Sequence, residues 1–233
     1  MIRAIGFDLD DTLLDHRSSA SKGISSLFAE RRWEYAGDTE LETYWEYLEK
    51  KHFARYVSGE LSIREQRRER IAGVIESLGI SPDTNTLDEI FDEFLMHYQS
   101  SWEAFPDVIK TLESLKSSGF RLSILTNGIQ AQQKAKLDHL GLSGYFDSIL
   151  AVGNISAPKP DLRAFAELCE SFSMKPSDVA YVGDDLVADA IGATKSGLHG
   201  IWLNRSGAIE NSYSIHEIEN LSDLIPLINS TES

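Results

Sequence analysis

The feature that most constrains this chain is a gap between its first strand and its second. The apolar run Ile2–Phe7 reads as a buried strand, and the next clear strand-like run begins only at Phe120. From about Ser18 to Trp102 the pattern between them is helical. Leu41, Tyr44, Trp45, Leu48, His52 and Tyr56 recur at three- and four-residue spacing and make one amphipathic face. Thr39 with Glu42 reads as a capping-box start for that helix, Ser62 with Glu65 for a second that Gly79 ends, and Thr86 with Glu89 for a third. A weaker helix holds Ile24, Leu27 and Phe28. Four such helices with short connections predict a small bundle.

From Phe105 the character changes again. Pro106 opens a helix that Gly119 closes, Phe120–Leu125 reads as a strand, and Gln130–Leu140 as a helix. Asp147–Val152 is a strand, a helix follows Pro160, and Val179–Val182 is a short buried strand. Leu186–Ser196 is a helix, Leu198–Leu203 a strand, and Ser222 caps a last helix. Strands alternating with helices imply right-handed crossovers and a parallel sheet. The expected fold is therefore a Rossmann-like α/β core, discontinuous in sequence, with a helical insertion after strand one. The expected boundaries are 1–16 and 104–233 for the core and 17–103 for the insertion.

Composition narrows the partners. The 37 acidic against 22 basic residues give a formal charge of -15, which argues against a nucleic-acid polymer or an anionic membrane. A small anionic substrate stays open, because a bound divalent cation reverses the local field. The single cysteine, Cys169, permits neither an internal disulfide nor a cysteine-based zinc site, and it lies on an apolar helix face as a core residue. Asp8 and Asp10 interrupt the N-terminal apolar run almost at once, and no run is long enough to span a membrane, so a cytoplasmic location is expected.

In an open parallel sheet, ligands bind beyond the carboxyl ends of the strands. Strand one runs into Asp8-Leu9-Asp10-Asp11-Thr12-Leu13-Leu14-Asp15. Like charges that close raise each other's pKa unless a cation or a chemical task resolves the conflict. The strand from Phe120 ends in Thr126-Asn127-Gly128, and the strand from Val179 ends in Gly183-Asp184-Asp185 with Asp189 one turn further on. Lys159 stands between two prolines just before a helix. Taken singly, each has an ordinary reading: a solvated turn, a loop lysine, a helix cap at Asp185.

Taken in order, the four pieces resemble the motifs of the haloacid dehalogenase-like (HAD) hydrolase superfamily. These are a DxDxT stretch, a Thr or Ser at the second strand end, an isolated Lys, and GDxxxxD. The helical insertion after the first motif resembles the C1-type cap. The Thr-Asn-Gly form, with this insertion length, is similar to nucleotidase-like and N-acylneuraminate-9-phosphatase-like members. The resemblance implies a phosphatase acting on a small phosphorylated metabolite, a nucleotide or sugar phosphate, as a monomer or homodimer.

The residue types suit that chemistry. A carboxylate nucleophile, Asp8, divides a difficult displacement into two through an aspartyl-phosphate. Asp10, two residues on, protonates the leaving oxygen and later takes a proton from water. Thr126 offers a hydroxyl and Asn127 a backbone N–H to the phosphoryl oxygens, and Lys159 a compact positive charge. The oxygen ligands Asp8 and Asp184 suit Mg²⁺; by resemblance the Asp10 carbonyl completes the set, with Asp189 in support. Asp11 and Asp15 shape the turn, and His16 reads as a loop histidine with no special task. Trp45, Arg55, Tyr56 and Arg64 are available either to read the substrate or to pack within the helical block, and Asp15–Ser18 and Trp102–Pro106 are the expected hinges.

Three other readings stay open. A phosphomutase shares every motif but needs a second phosphate site. A 2-haloacid dehalogenase needs the nucleophile yet no metal and no Asp at the position of Asp10. A non-catalytic binding protein could keep the fold, though loss of Asp8, Asp10 or Lys159 would be its mark, and all three are present.

Overall fold

The computed structural model describes residues 1–207 and 213–231. The chain forms two compact units, one of Met1–Asp15 with Ala104–Ser233 and the other of His16–Glu103.

The first unit is built on a six-stranded sheet of order β3-β2-β1-β4-β5-β6, in which every adjacent pair is parallel. Its strands are β1 (Ala4–Phe7), β2 (Arg121–Ile129), β3 (Ser148–Val152), β4 (Val179–Gly183), β5 (His199–Leu203) and β6 (His216–Ile218). β1 is wholly buried, as its unbroken apolar run requires of a strand covered on both faces. The chain builds outward from β1 to β2 and β3 on one side, then to β4, β5 and β6 on the other. The order therefore reverses beside β1, at the place where open α/β sheets hold their ligands.

Register aligns the strand ends. Phe7 lies opposite Ile124 on one side and Val182 on the other. Asp8, Thr126 and Asp184, one or two residues beyond those partners, are thus delivered to the same sheet edge. The helices of this unit are α5 (Val108–Ser117), α6 (Gln130–His139), α7 (Leu162–Phe172), α8 (Gly192–Lys195) and α9 (Leu224–Thr231), labelled here after four in the second unit. Phe165, Leu168, Cys169 and Phe172 of α7 pack with Leu125, Val179 and Tyr181 of the sheet, so Cys169 is a core residue.

The helical unit comprises α1 (His16–Arg31), α2 (Leu41–Val57), α3 (Ile63–Ile75) and α4 (Thr84–Ser100). Its core includes Leu27, Trp45, Ile71, Val74, Phe91 and Phe94. The guanidinium of Arg70 is buried over the Trp45 ring at 4.3 Å and pairs with Glu49 at 2.8 Å. Trp45 is thereby committed to packing, while Arg55 pairs with Glu60 and Arg64 with Asp88.

Several local expectations need correction. The Ser62–Glu65 capping box forms, but the Thr39–Glu42 box does not: Glu40 is the N-cap of α2, and Glu42 accepts instead from the Ser25 hydroxyl. Asp83, not Thr86, caps α4, accepting from the Thr86 N–H, so the helix starts three residues earlier. His16 is not in a loop. It opens α1, its ring meeting the Tyr98 hydroxyl at 2.6 Å and Glu49 at 3.0 Å, which ties it to the buried Arg70. Leu186–Ile191 is wound as a π-helix before α8, and Ser222 lies inside a 3₁₀ turn after Asn220 rather than capping α9.

Candidate active site

Asp8 follows β1 directly, and its N–H donates to the Val182 carbonyl, extending the β1–β4 ladder by one step. Its side chain therefore emerges beside the end of β4. Asp11 adopts left-handed backbone (φ 55°), and its N–H closes a turn on the Leu14 carbonyl. The Thr12 hydroxyl accepts from the Asp184 N–H at 3.1 Å, binding this turn to the loop after β4. The Trp202 indole of β5 donates to the Asp184 carbonyl at 2.8 Å and holds the loop from the other side.

Lys159 is only 3% exposed, and its ammonium is fully engaged. It donates to Asp8 Oδ1 at 2.7 Å, Asp189 Oδ1 at 2.6 Å and the Tyr181 hydroxyl at 2.8 Å. Tyr181 in turn donates to the Leu125 carbonyl at 2.6 Å. Three N–H donors meet three oxygens, which is what a buried lysine needs to stay charged. Burial works against that charge, but Asp189 and Asp8 outweigh it and hold the lysine pKa well above its usual value. Asp189 accepts on its second oxygen from the Asp185 N–H at 3.0 Å. Asp185 itself caps the following helical segment, accepting from the N–H groups of Val187 and Ala188, as its position after β4 predicts.

Asp8, Asp184 and Asp189 each offer an oxygen, and these atoms all lie within 4.8 Å of one another. Burial, reinforced by Asp189 and Asp10, pushes Asp8 up to about 7 against the pull of Lys159. Burial, then Asp8, Asp189 and Asp11, pushes Asp184 up to about 9. Asp189 is also raised by burial, against the pull of Lys159. One ammonium does not balance three carboxylates. An all-oxygen cluster short of positive charge fits a hard divalent cation, and these are the residues that could hold it.

Asp10 lies on the other side of the site. Its Oδ1 receives Lys136 Nζ at 2.5 Å and its Oδ2 receives Gln133 Nε2 at 2.9 Å, both from α6. The same Gln133 nitrogen donates to the Thr126 hydroxyl at 2.9 Å, and Gly128 N–H donates to it at 3.1 Å. A hydroxyl has two acceptor positions and one proton, so two incoming donors leave Thr126 free to donate its own. Asn127 turns its side chain to Lys159 rather than into the site.

A sequence model of haloacid dehalogenase-like hydrolases matches residues 2–197. The chain belongs to that family. It is a hydrolase with the HAD-like α/β fold. Among relatives, the N-acylneuraminate-9-phosphatase of Rattus norvegicus is 27% identical over 213 residues, covering 89% of this chain and 85% of that one. The (S)-2-haloacid dehalogenase 4A of Burkholderia cepacia is 26% identical over 244 residues, covering 97% and 95%. The HAD hydrolase YfnB of Bacillus subtilis has the same fold, with a TM-score of 0.83 at 23% identity over 98% of this chain and 99% of that one.

The structure thus brings Asp8, Thr126, Lys159, Asp184 and Asp189 to one sheet edge of this HAD hydrolase, with Asp10 joined to Thr126 through Gln133. Sequence reasoning missed Tyr181, Gln133, Lys136 and Trp202. Tyr181 and Trp202 read as core residues of strands. Gln133 and Lys136 sit in the polar run Gln130–His139, where nothing local distinguishes a buried side chain from a solvated one.

Proposed function

We propose that the protein is a Mg²⁺-dependent phosphatase that hydrolyses a small phosphorylated metabolite, a nucleotide or sugar phosphate, through an aspartyl-phosphate on Asp8. The observation that carries this reading is the pairing of a three-carboxylate cluster with an Asp at position 10. A dehalogenase needs the nucleophile, but neither a metal held by such a cluster nor an Asp at position 10. Similarity to (S)-2-haloacid dehalogenase 4A along nearly the whole chain keeps that activity as the second reading.

Asp8 and Asp184, with Asp10 contributing its carbonyl and Asp189 in support, would hold the Mg²⁺. When bound, that ion supplies positive charge against the phosphoryl oxygens and the surrounding carboxylates. In the first step an oxygen of Asp8 bonds to phosphorus as the phosphorus–oxygen bond to the leaving group breaks, and Asp10 gives the departing leaving-group oxygen a proton. Lys159 takes one oxygen of Asp8 in its hydrogen bond and leaves the other for attack. In the second step Asp10 takes a proton from water as the water oxygen bonds to phosphorus. Asp8 is released as carboxylate and phosphate departs. Thr126, its own proton free to donate, and the Asn127 N–H hold the phosphoryl oxygens throughout.

We assign the helical unit, residues 17–103 in the sequence-based division, the role of a C1-type cap that selects the substrate, hinged at Asp15–Ser18 and Trp102–Pro106. The deciding experiment is phosphate release from nucleoside monophosphates, sugar phosphates and p-nitrophenyl phosphate, with Mg²⁺ and with EDTA. Release that requires Mg²⁺ is expected. Halide release from a 2-haloacid without phosphate release from any ester would replace this reading with the dehalogenase.

A further inference from the structure

We propose that Gln133 and Lys136 are positioning residues that clamp the Asp10 carboxyl from α6 and so set the alignment of the proton donor with the leaving oxygen. The inference rests on the phosphatase reading in one respect, that Asp10 is the group that moves the proton.

Three observations carry it. First, the two donors take different oxygens of Asp10, Lys136 at 2.5 Å on Oδ1 and Gln133 at 2.9 Å on Oδ2. A carboxyl held at both oxygens keeps one rotation about its terminal bond, whereas one held at a single oxygen can swing. Second, both side chains are buried, Gln133 at 1% exposure and Lys136 at 2%, although the helix around them is polar. A lysine lodged that deeply needs a reason, and a carboxylate partner supplies it. Gln133 and Lys136 are three residues apart, so they share one face of α6 and reach Asp10 together.

Third, the backbone makes room for the clamp. A Cβ built on Gly128 would stand 2.3 Å from Gln133 Nε2 and 2.4 Å from its Cδ. Gly128 is therefore the residue that lets Gln133 lie across the end of β2. The amide is also fixed in sense, because only its NH₂ can serve both the Asp10 carboxylate and the Thr126 hydroxyl. Gln133 thus joins the proton-transfer group to the phosphate-binding hydroxyl, while Lys136 serves Asp10.

The test exploits leaving groups. Kcat/KM is compared for an alkyl phosphate, whose departing alkoxide needs a proton, and for p-nitrophenyl phosphate, whose nitrophenolate leaves without one. K136M is expected to lose on the order of 100-fold on the alkyl ester, the scale of a 1 Å misplacement, with only a small loss on the nitrophenyl ester. K136R should recover much of the difference, and adding K136M to D10N should cost nothing further. G128A, which displaces Gln133 without altering either clamp residue, should weaken both esters and the alkyl one more. Equal losses on the two esters, or an additive loss in the D10N background, overturn the clamp.

If the wild type hydrolyses no ester, the phosphatase reading fails, and the clamp is then decided by crystal structures of K136M and G128A. An Asp10 carboxyl in its wild-type position in both refutes it; a displaced one supports it. G128A keeps the question decidable should K136M not fold.

Discussion

Asn127 grips the backbone of Lys159 at both edges: its side-chain NH₂ donates to the Lys159 carbonyl at 2.9 Å, and its side-chain oxygen accepts the Lys159 N–H at 2.7 Å. This is a sheet-like pairing made by a side chain, and it fixes the loop that delivers the buried ammonium. N127A leaves both backbone groups without these partners. Unfolding free energy should fall by about 1–3 kcal/mol, and turnover should fall more than a surface variant of equal stability loss. Denaturant titration and steady-state kinetics measure the two; wild-type values for both would show the grip to be incidental.

On the proposed mechanism, Asp8 and Asp10 are separable by which half of the reaction stalls. D8N is isosteric and cannot form the acyl-phosphate, so activity should fall by at least about 10³-fold with the fold intact. D10N should still receive phosphate from p-nitrophenyl phosphate and then release it slowly, giving a burst of nitrophenolate. A D8N protein with substantial turnover would remove Asp8 as the nucleophile. A D10N protein with unchanged steps would remove Asp10 from proton transfer.

The raised carboxyl groups tie stability and metal binding to pH. In the metal-free protein Asp8 sits at about 7 and Asp184 at about 9, both driven up first by burial. Unfolded, both titrate at the ordinary carboxylate value near 4, so between roughly pH 4 and 9 the folded state holds more protons. Stability from these groups is therefore full below pH 4 and is lost as pH rises through their folded values, at about 1.4 kcal/mol per pH unit for each group titrating. On the proposed reading, Mg²⁺ would compete with those protons. Its affinity should tighten from pH 6 to 9 and its binding should release protons, seen by calorimetry in buffers of different ionisation enthalpy. D184N should flatten the slope of metal-free stability above pH 7. Mg²⁺ affinity independent of pH would contradict the picture.

What the sequence makes legible here is whatever is announced by a strand end. Asp8, Thr126 and Asp184 follow apolar runs that can only be buried strands, and register then brings them together. Lys159 is legible through its motif, yet not its burial, which depends on Tyr181 of β4 and Asp189 of the π-helical segment that follows it. Gln133 and Lys136 are hidden for a different reason. α6 carries little apolar signal to mark its inward face, and its polar side chains are buried because the site, not the core, receives them. The short edge strand β6 is missed because three residues, two of them exposed, give no period to read. Helix starts also mislead. Thr39 and Thr86 carry the right pattern, but Glu42 finds Ser25 and Asp83 offers Thr86 a nearer acceptor.

Gly183, the last residue of β4, makes a prediction that needs no chemistry to state. A Cβ there would stand 2.1 Å from Asp189 Oδ2 and 2.3 Å from its Cγ, so the Asp189 carboxylate lies directly over the bare Cα. Asp189 cannot simply move aside, because Lys159 holds one of its oxygens and the Asp185 N–H the other. G183A must break one of those bonds or bend the end of β4. The expected cost is about 1–3 kcal/mol, as for an added methyl in a packed interior. The displaced Asp189 should also loosen Lys159, so turnover should fall at temperatures where the variant is fully folded. Adding D189N should recover little, because the clash is with side-chain atoms that asparagine keeps. Shortening the side chain instead, as G183A with D189A, should recover only part of the lost stability while leaving turnover low, because alanine keeps the Cβ that lies 2.6 Å from the new methyl. A G183A protein with wild-type stability and turnover would mean that Asp189 has room to move, and that Lys159 is held without it.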